Sequence, residues 1–502
     1  MRYSSVLLPR SFDALSCFFA AWLGLFFSAS GMCAVIGVPG DYTFIQEAID
    51  AAQLGDTILV SPGTYVENVD LRGKGLTLKS SHGASATVID GSQCSAAVKF
   101  STPIGPESVL DGFTVTHGGG FFSSGELRGG GIYMEGHMSP VIENCIITGN
   151  AASKGGGIYC NYSEPIITCN VITENTATEG CGIYCDYASN PRIENNHIYD
   201  NHEGVWASSG GGIFCGDLSM PQISGNVIEG HDTYQGGAIA CFDDSAPYIV
   251  NNIFCFNNAE RGGALYSSYN ARPLVVNCTF YKNTSSFHGG GICIQGATEV
   301  TVLNSILWMD TGNEIYIFTG GTNPTVEYSC VQGGWPGAGN IHQDPRFVDP
   351  DAGDLHLRFT SPCRNNGSSE VSSMPAADFE GDPRPAFGKV DIGADEFYTH
   401  LYHVGECAAG ATIEIKIIGL PTTSPVGLWL STGLLDPPIP SVWGDWYLEL
   451  PALGPFILGA VPAPEGVIVL SAEVPNLPEP IEIFMQAMVG SGFTQCHKIE
   501  IE

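Results

Sequence analysis

Apolar and polar residues repeat along residues 128–310 in a unit of about 26 residues that occurs seven times. Each unit begins with a glycine-rich run and continues into a short apolar stretch, as in Gly155-Gly-Gly-Ile-Tyr-Cys160. The aliphatic residues that align from unit to unit are Ile132, Ile158, Ile183, Ile213, Ile239, Leu265 and Ile292. A period of this length predicts an array of stacked units rather than one compact core.

A second apolar stretch starts seven or eight residues after each aligned aliphatic residue, at Pro140, Pro165, Pro191, Pro221, Pro247, Pro273 and Val300. It carries another column of branched residues: Ile142, Ile167, Ile193, Ile223, Ile249 and Val275. Each buried aliphatic side chain contributes about 1.5 to 3 kcal/mol, so such columns drive the units to stack. Short strands with a corner every eight or so residues predict an all-β fold, a right-handed parallel β-helix. Seven aligned turns would span roughly 29 Å.

Asparagine recurs at the predicted corners. One turn position holds Asn144, Asn195, Asn251, Asn277 and Asn304, and Asn170, Asn196, Asn226 and Asn252 lie one residue later. A further polar column consists of Asn150, Asn175, Asn201, His231, Asn257, Asn283 and Asp310. Amides stacked turn over turn satisfy one another and the turn backbone, so we expect these columns to support the scaffold.

Residues 38–91 are expected to begin the array with a short helix and three strands. Thr43-Phe-Ile-Gln46 fits a capping box, and one apolar helical face is formed by Phe44, Ile45, Ala48, Ile49 and Ala52. The strands are predicted at 57–60, 75–78 and 87–89.

This passage closely resembles the opening of the pectate-lyase-like parallel β-helix superfamily. The matching residues are Val38-Pro-Gly-Asp-Tyr-Thr-Phe-Ile-Gln-Glu-Ala-Ile-Asp-Ala-Ala52 and Gly55-Asp-Thr-Ile-Leu-Val-Ser-Pro-Gly-Thr-Tyr-Val-Glu67. In that family the helix plugs the N-terminal end of the solenoid, and the resemblance implies the same capping helix here.

The period fades after residue 310, where a different set of motifs follows: Tyr328-Ser-Cys-Val-Gln-Gly-Gly-Trp-Pro-Gly337, Asp344-Pro-Arg-Phe-Val-Asp-Pro350, Asp378-Phe-Glu-Gly-Asp-Pro-Arg-Pro385 and Val390-Asp-Ile-Gly-Ala-Asp-Glu396. Their order resembles the choice-of-anchor Q module that closes many bacterial surface-exported β-helix proteins. We therefore expect a parallel β-helix at 38–310 and terminal turns with a cap at 311–398. Apolar runs between Pro- and Gly-rich turns predict a small β-sandwich at 401–502.

The first 34 residues have the pattern of a signal peptide, with Arg2 and Arg10 beside an apolar run from Leu15 to Phe27 and small residues after it. That run is short for a membrane span and no second one occurs, so we expect a secreted or cell-surface chain without a transmembrane segment. The net charge of −33 disfavours nucleic acid as a partner and attracts cations, including calcium. The protein is expected to be a monomer.

Most of the seventeen cysteines keep step with the repeat. One column holds Cys160, Cys185, Cys215 and Cys241, and the second apolar stretch holds Cys145, Cys169, Cys255 and Cys278. Equivalent side chains on stacked turns lie about 4.8 Å apart, wider than a relaxed disulfide prefers, so these cysteines are expected to be buried small hydrophobic residues. Disulfides are expected outside the columns, between Cys330 and Cys363 and between Cys407 and Cys496.

Two further columns carry charge. Four residues before each aligned aliphatic residue lie Arg128, Lys154, Glu179, Ser209, Gln235, Arg261 and His288; after each first strand lie Glu135, Asn161, Asp186, Asp217, Asp243 and Asp244. Asp217 and Asp243 occupy equivalent places, and two carboxylates about 5 Å apart repel by about 1 kcal/mol in water. A calcium ion at Asp217, Asp243 and Asp244 would relieve that repulsion. Solvated turn aspartates are the alternative.

The third repeat interval is 30 residues long, and its extra residues lie between Asn201 and Gly210. Insertions in solenoids often lie on the binding face, so His202, Glu203 and Trp206 are candidate ligand-binding residues, with Trp206 stacking on a sugar ring. A tolerated bulge is the alternative interpretation.

The sequence favours a non-catalytic surface or extracellular protein that contacts polysaccharide or another cell-surface component along the solenoid face. The alternative is a polysaccharide lyase or glycoside hydrolase that acts on acidic polysaccharide. The resemblance implies that Arg128 or Lys154 would imitate the base of the lyases, beside calcium-bound acids. Asp243 and Asp244 would imitate the clustered aspartates of the hydrolase branch. Neither set is accompanied by the motifs that identify those enzymes.

Overall fold

The computed structural model describes residues 33–397 apart from 103–104, 204–207, 319, 372–373 and 386–387, and beyond residue 399 it describes the backbone of ten strands. The chain divides into two compact units. In the described part, the first unit runs to His342 and includes Val371–Glu380, and the second contains Gln343–Glu370 and the residues from Gly381 onward.

The first unit is a parallel β-solenoid of about 11 turns, which confirms the all-β prediction. Sheet A contains Val35–Val38, Thr57–Val60, Thr77–Ser80, Val109–Asp111, Val141–Glu143, Ile166–Thr168, Arg192–Glu194, Gln222–Ser224, Tyr248–Val250, Leu274–Val276, Thr301–Leu303 and Thr325–Glu327. Sheet B contains Gly63–Val66, Thr87–Asp90, Thr114–Thr116, Ile146–Thr148, Val171–Thr173, His197–Tyr199, Val227–Glu229, Ile253–Cys255, Thr279–Tyr281, Ile306–Trp308 and Cys330–Val331.

In each turn of the solenoid, the strand of sheet C comes after the strand of sheet B. It contains Val69–Asp70, Val98–Phe100, Ile132–Glu135, Ile158–Asn161, Ile183–Asp186, Ile213–Cys215, Ile239–Cys241, Leu265–Ser267, Ile292–Ile294 and Ile315–Ile317. A shorter sheet D lies between sheets B and C and contains Thr176–Ala177, His202–Glu203, Asp232–Gln235, Asn258–Arg261 and Thr284–His288. The strands of all four sheets are parallel, and an antiparallel hairpin, Phe121–Ser123 with Glu126–Arg128, projects before the first complete repeat.

The register is the one that the repeat predicts. Ile132, Ile158 and Ile183 are direct partners in sheet C, and the pairing continues through Ile213, Ile239, Leu265 and Ile292. All of these side chains are at most 2% exposed, and they form one apolar core with the branched residues of sheets A and B. The core therefore runs inside the solenoid along the stacking direction.

The described part of the first unit contains one short helix, Ile45–Ala51, which buries Ile45, Ala48 and Ile49 in this core. The predicted capping box is wrong, because no side chain of the helix caps its N-terminus. Instead the carboxylate of Glu67 accepts hydrogen bonds from the backbone N–H groups of Ile45 at 2.9 Å and Gln46 at 3.0 Å. An acid at a helix N-terminus satisfies free donors and complements the helix dipole, so a tertiary contact replaces the local cap.

The third asparagine column, which we call the amide column, is buried at the corner after sheet B and consists of Asn150, Asn175, Asn201, His231, Asn257, Asn283 and Asp310. Asn175 shows the common pattern: its Nδ2 donates to the Ile147 carbonyl at 2.8 Å and to Asn201 Oδ1 at 2.9 Å, and its own Oδ1 accepts from Asn150. The column at Asn170, Asn196, Asn226 and Asn252 makes the same bonds at the corner after sheet A. Two of the three predicted scaffold columns are therefore confirmed; in the remaining column Asn144 donates to Asp111 and Asn251 to the Ala377 carbonyl, so its members do not form the same ladder.

The cysteine columns are largely as predicted. Cys160, Cys185, Cys215 and Cys241 are fully buried in sheet C. Cys169 is exposed, contrary to prediction, because it occupies the outward corner position that Asn144 and Asn195 hold in neighbouring turns, with φ of 55°.

The predicted pairing of Cys330 with Cys363 is not supported, since no disulfide is found among the cysteines that the structure describes. Cys330 is the register partner of Ile306 in sheet B, in line with Thr279 and Ile253, so it does lie outside the cysteine columns. Cys407 and Cys496 lie outside the described residues.

The second unit opens with an antiparallel pair, Phe347–Asp349 and Asp354–Leu357, joined by the 3-10 turn Pro350–Ala352. In its loops the buried Arg384 guanidinium donates to the carbonyl groups of Gly393 at 3.0 Å and Ala394 at 2.6 Å and lies 3.4 Å from Glu396. The motif at 390–396 is therefore held by a buried arginine.

Antiparallel strands follow in the second unit, in three groups. The first is His400–Val404, Thr412–Ile418 and Val467–Glu473; the second is Leu453–Ala460, Pro425–Ser431, Ile481–Val489, Gly492–Phe493 and His497–Ile501; the third is Leu434–Ser441 and Gly444–Leu448. Within the described part of the chain, no helix has the length and apolar character needed to span a bilayer.

Candidate functional site

The two charged columns that the sequence singled out lie on either side of sheet C: the column with the basic residues precedes its strands, and the acidic column lies at the ends of its strands and in the turns that follow. Arg128, Lys154 and Glu179 are bridged as parallel neighbours, and the ladder continues through Ser209, Gln235, Arg261 and His288. Lys154 Nζ lies 3.2 Å from a Glu179 carboxylate oxygen, and Arg128 lies 3.5 Å from Glu126 on the hairpin. Burial alone would lower the pKa of Lys154, but Glu179, with smaller contributions from Glu126 and Asp186, raises that pKa above its ordinary value. Both candidate bases are thus held as ion-paired cations.

An aromatic column lies beside this ladder, one residue after each aligned aliphatic residue. Tyr133, Tyr159, Tyr184 and Phe214 stack ring on ring with centroids 5.5, 5.4 and 4.9 Å apart. These rings are at most 7% exposed, because they cover one another and the Arg128 and Lys154 side chains lie over Tyr159 and Tyr184. The column stiffens the outer face of sheet C and is closed to ligands.

The turn that follows sheet C presents a different row of side chains, which we call the exposed row: Tyr162, Tyr187, Asp217, Asp243 and Tyr269. Each member lies four residues after an aligned aliphatic residue, and each has a left-handed φ between 35° and 49°. Backbone hydrogen bonds from Ala188 to Asp217, from Leu218 to Asp243 and from Asp244 to Tyr269 confirm that the turns are in register.

The tyrosines of the exposed row are open to solvent. Tyr162, Tyr187 and Tyr269 are 50%, 46% and 64% exposed, and the rings of Tyr162 and Tyr187 are stacked with centroids 5.8 Å apart. None of these three residues was singled out from the sequence. Their constant spacing of four residues from the aligned aliphatic column is the signal that would have found them.

The carboxylates lie between the tyrosines. Asp217 and Asp243 are neighbours, as predicted, and Asp186 is buried behind them, where it accepts a hydrogen bond of 2.5 Å from the Tyr184 hydroxyl. Burial raises the pKa of Asp186, the Tyr184 hydrogen bond opposes this, and the adjacent Asp217 raises it further. The pKa of Asp243 is raised by burial and by the charges of Asp217 and Asp244. The carboxylates therefore repel one another, which is the condition that a cation would relieve; calcium at Asp217, Asp243 and Asp244 stays a prediction.

An open groove of about 340 Å³ lies at one end of the exposed row. It is lined by Asp243, Asp244, Ser268, Tyr269, Asn270 and Gln295. Two predicted site residues, Asp243 and Asp244, thus lie in one concave surface with an exposed tyrosine, and its volume falls within the ordinary range of ligand-binding pockets.

The predicted insertion site is described only in part. His202 lies in sheet D, paired with Thr176 and Asp232, so it continues a regular strand. The backbone of Glu203 ends the same strand. Trp206 lies outside the described residues. The ligand-binding role of His202, Glu203 and Trp206 stays a prediction.

Comparisons with known proteins place the fold in a class. The family described as the right handed beta helix region matches residues 63–254. Together with the parallel sheets, this match supports a right-handed parallel β-helix. Among solved structures, the chain is similar to the pectate lyase Pel9A, with 12% sequence identity and a TM-score of 0.44 over 73% of this chain and 96% of that one. No curated protein matches the chain.

Proposed function

We propose that the protein is an exported, non-catalytic β-helix protein that binds polysaccharide along the solenoid, secreted or at the cell surface. The observation that carries this proposal is the exposed row, in which three half-exposed tyrosines stand in register on a rigid turn. Exposed aromatic rings offer flat apolar faces together with a polar hydroxyl group, which suits contact with sugar rings. The parallel strands fix the spacing of these rings, so little ordering is needed on binding.

The basic column supports a binding role rather than catalysis by a lysine or arginine base. Lys154 is paired with Glu179, which keeps its ammonium group protonated, and Arg128 is paired with Glu126. A base must be able to accept a proton near the working pH.

The alternative function, a polysaccharide lyase or glycoside hydrolase, is favoured by one observation. Asp186 and Asp217 lie on neighbouring turns, and burial together with the adjacent Asp217 raises the pKa of Asp186. A protonated carboxyl group beside an ionised one is an arrangement that acid–base catalysis can use.

The remaining parts of the proposal rest on the sequence. The first 34 residues would direct export, the helix Ile45–Ala51 would cap the solenoid, and a choice-of-anchor-Q-like segment would close it. The antiparallel strands from His400 onward are compatible with the proposed sandwich.

The test is a binding assay with the full mature chain and a panel of neutral, acidic and amino polysaccharides. We expect binding that weakens about tenfold in Tyr187→Ala, with no release of unsaturated products or reducing ends in the presence of calcium. Turnover that is lost in Asp186→Asn or Asp217→Asn, at unchanged thermal stability, would establish the enzymatic alternative instead.

A further inference from the structure

The exposed row constrains the charge of its ligand, and this inference rests on the proposed function. We propose that the row binds an extended polysaccharide that carries protonated amino groups. The sugar faces would lie on the tyrosines, and the ammonium groups would pair with Asp217 and Asp243.

The shape of the row favours a chain over a single sugar. Tyr187 and Tyr269 lie on either side of Asp217 and Asp243 in one column. Three turns separate these tyrosines, which at the usual strand spacing is about 14 Å. The groove then continues the surface past Tyr269 toward Gln295. A ligand that contacts all of these groups must be elongated along the stacking direction.

The charge of the row favours cations. Asp243 is an exposed residue that lies next to Asp217 and Asp244. Partial burial of its carboxyl group and the charges of these two neighbours raise its pKa. The described residues of the exposed row and groove include no lysine or arginine. Lys154, on the other side of the aromatic column, is already paired with Glu179. An ammonium group would relieve the repulsion, whereas each added carboxylate at about 4 Å would cost about 1 kcal/mol or more.

The experiment compares two water-soluble polymers with the same backbone, one fully N-acetylated and one deacetylated, at low salt. Binding to the full chain is measured by calorimetry for the natural protein, Asp243→Asn, Tyr187→Ala and Glu47→Gln. Glu47 is an exposed acid on the short helix, so Glu47→Gln changes the net charge equally while leaving the row intact. Polylysine serves as a cation without sugar rings.

We expect the deacetylated polymer to bind about tenfold more tightly than the acetylated one. Asp243→Asn should remove most of that preference and leave the acetylated polymer unaffected, Tyr187→Ala should weaken both polymers, and Glu47→Gln should change neither.

Three outcomes would overturn the inference. Equal binding of the two polymers, insensitive to Asp243→Asn, would reject amino sugars and leave polysaccharide binding standing. Polylysine binding as tight as that of the deacetylated polymer, unchanged in Tyr187→Ala, would reduce the effect to bulk charge. If neither polymer bound, the inference would fail, and binding to the neutral and acidic polysaccharides of the panel would decide the proposed function separately.

Discussion

The amide column and the exposed row occupy the same turns of the solenoid, one in its interior and the other on its surface. In the column, nearly every turn repeats the same residue, and each amide bonds to the turns before and after it. In the row, two tyrosines are followed by two aspartates and a further tyrosine, and no amide ladder joins them. The interior positions repeat the same residue because neighbouring turns share hydrogen bonds there. The surface positions have no such constraint, so their residues can differ to suit a ligand.

The largest expected effect is the loss of an interior amide. Asn175→Ala would remove the side-chain donor to the Ile147 carbonyl and the acceptor of the Asn150 backbone N–H and side-chain amide, while Asn201 Oδ1 would keep only its bond from the Asn175 backbone N–H. A buried polar group left without a partner costs about 1 to 3 kcal/mol, so we expect the unfolding free energy to fall by at least about 3 kcal/mol. Tyr162→Ala, on the same turn, is the matched surface control and should change stability by less than about 0.5 kcal/mol. Denaturant unfolding compares the two, and equal losses would contradict the distinction between column and row.

The second effect concerns His231, which replaces an amide in the column. Asn201 Nδ2 donates to His231 Nε2 at 3.2 Å, and His231 Nδ1 donates to Asn257 Oδ1 at 2.9 Å, so the column holds a neutral imidazole. Burial lowers the pKa of His231 from 6.5 to about 4.

Because the folded-state pKa lies below the unfolded value, the unfolded chain binds a proton first as the pH falls. The His231 contribution is therefore complete above pH 6.5 and declines toward pH 4, by roughly 3 kcal/mol in all. His231→Asn restores the amide and should remove this decline from melting curves recorded between these pH values. Parallel pH profiles for the two proteins would contradict the assignment.

A smaller effect is expected at Asp310, where the column ends on an acid. Its contribution to the pH dependence of stability has the opposite sign to that of His231. Asp310 Oδ1 accepts from Asn283, but Oδ2 has no hydrogen-bond partner, and Glu314 lies beside it with an equally unsatisfied oxygen. Burial raises the pKa of both carboxyl groups.

A raised folded-state pKa means that stability is present below the unfolded value of 3.8 and is lost as the pH rises through the folded value. Asp310→Asn should therefore stabilise the chain by about 1 to 2 kcal/mol, and more at pH 8 than at pH 5. Thermal melts at these two pH values provide the measurement, with Asp232→Asn on exposed sheet D as the control. A variant that is less stable than the natural protein at pH 8 would refute the interpretation.

The contrast between column and row also explains what the sequence predicted. Glycine runs, aligned isoleucines and corner asparagines repeat because every turn needs them, so they predicted the sheets, their register and the buried amides. Contacts between distant segments have no repeat to reveal them: Glu67 at the helix N-terminus replaced the predicted cap, and the predicted pairing of Cys330 with Cys363 is not supported. Charge marks only the aspartates at this corner, so it does not predict Tyr162, Tyr187 and Tyr269, whose signal is the constant offset from the aliphatic column.

The smallest expected change in stability is at the exposed row itself. Tyr187 has a left-handed φ of 47°, and Gly136 occupies the equivalent corner position two turns earlier with φ of 87°. Because a left-handed conformation costs a residue with a side chain about 1 kcal/mol relative to glycine, Tyr187→Gly should leave stability unchanged or raise it slightly. The same substitution removes a stacking surface and should weaken polysaccharide binding about tenfold. Tyr187→Ala keeps the backbone cost and loses the ring, so it separates the two effects when melting and binding are measured together. If Tyr187→Gly destabilised the chain as strongly as Asn175→Ala, the ring would belong to the scaffold, and the row would be a structural column like the one inside.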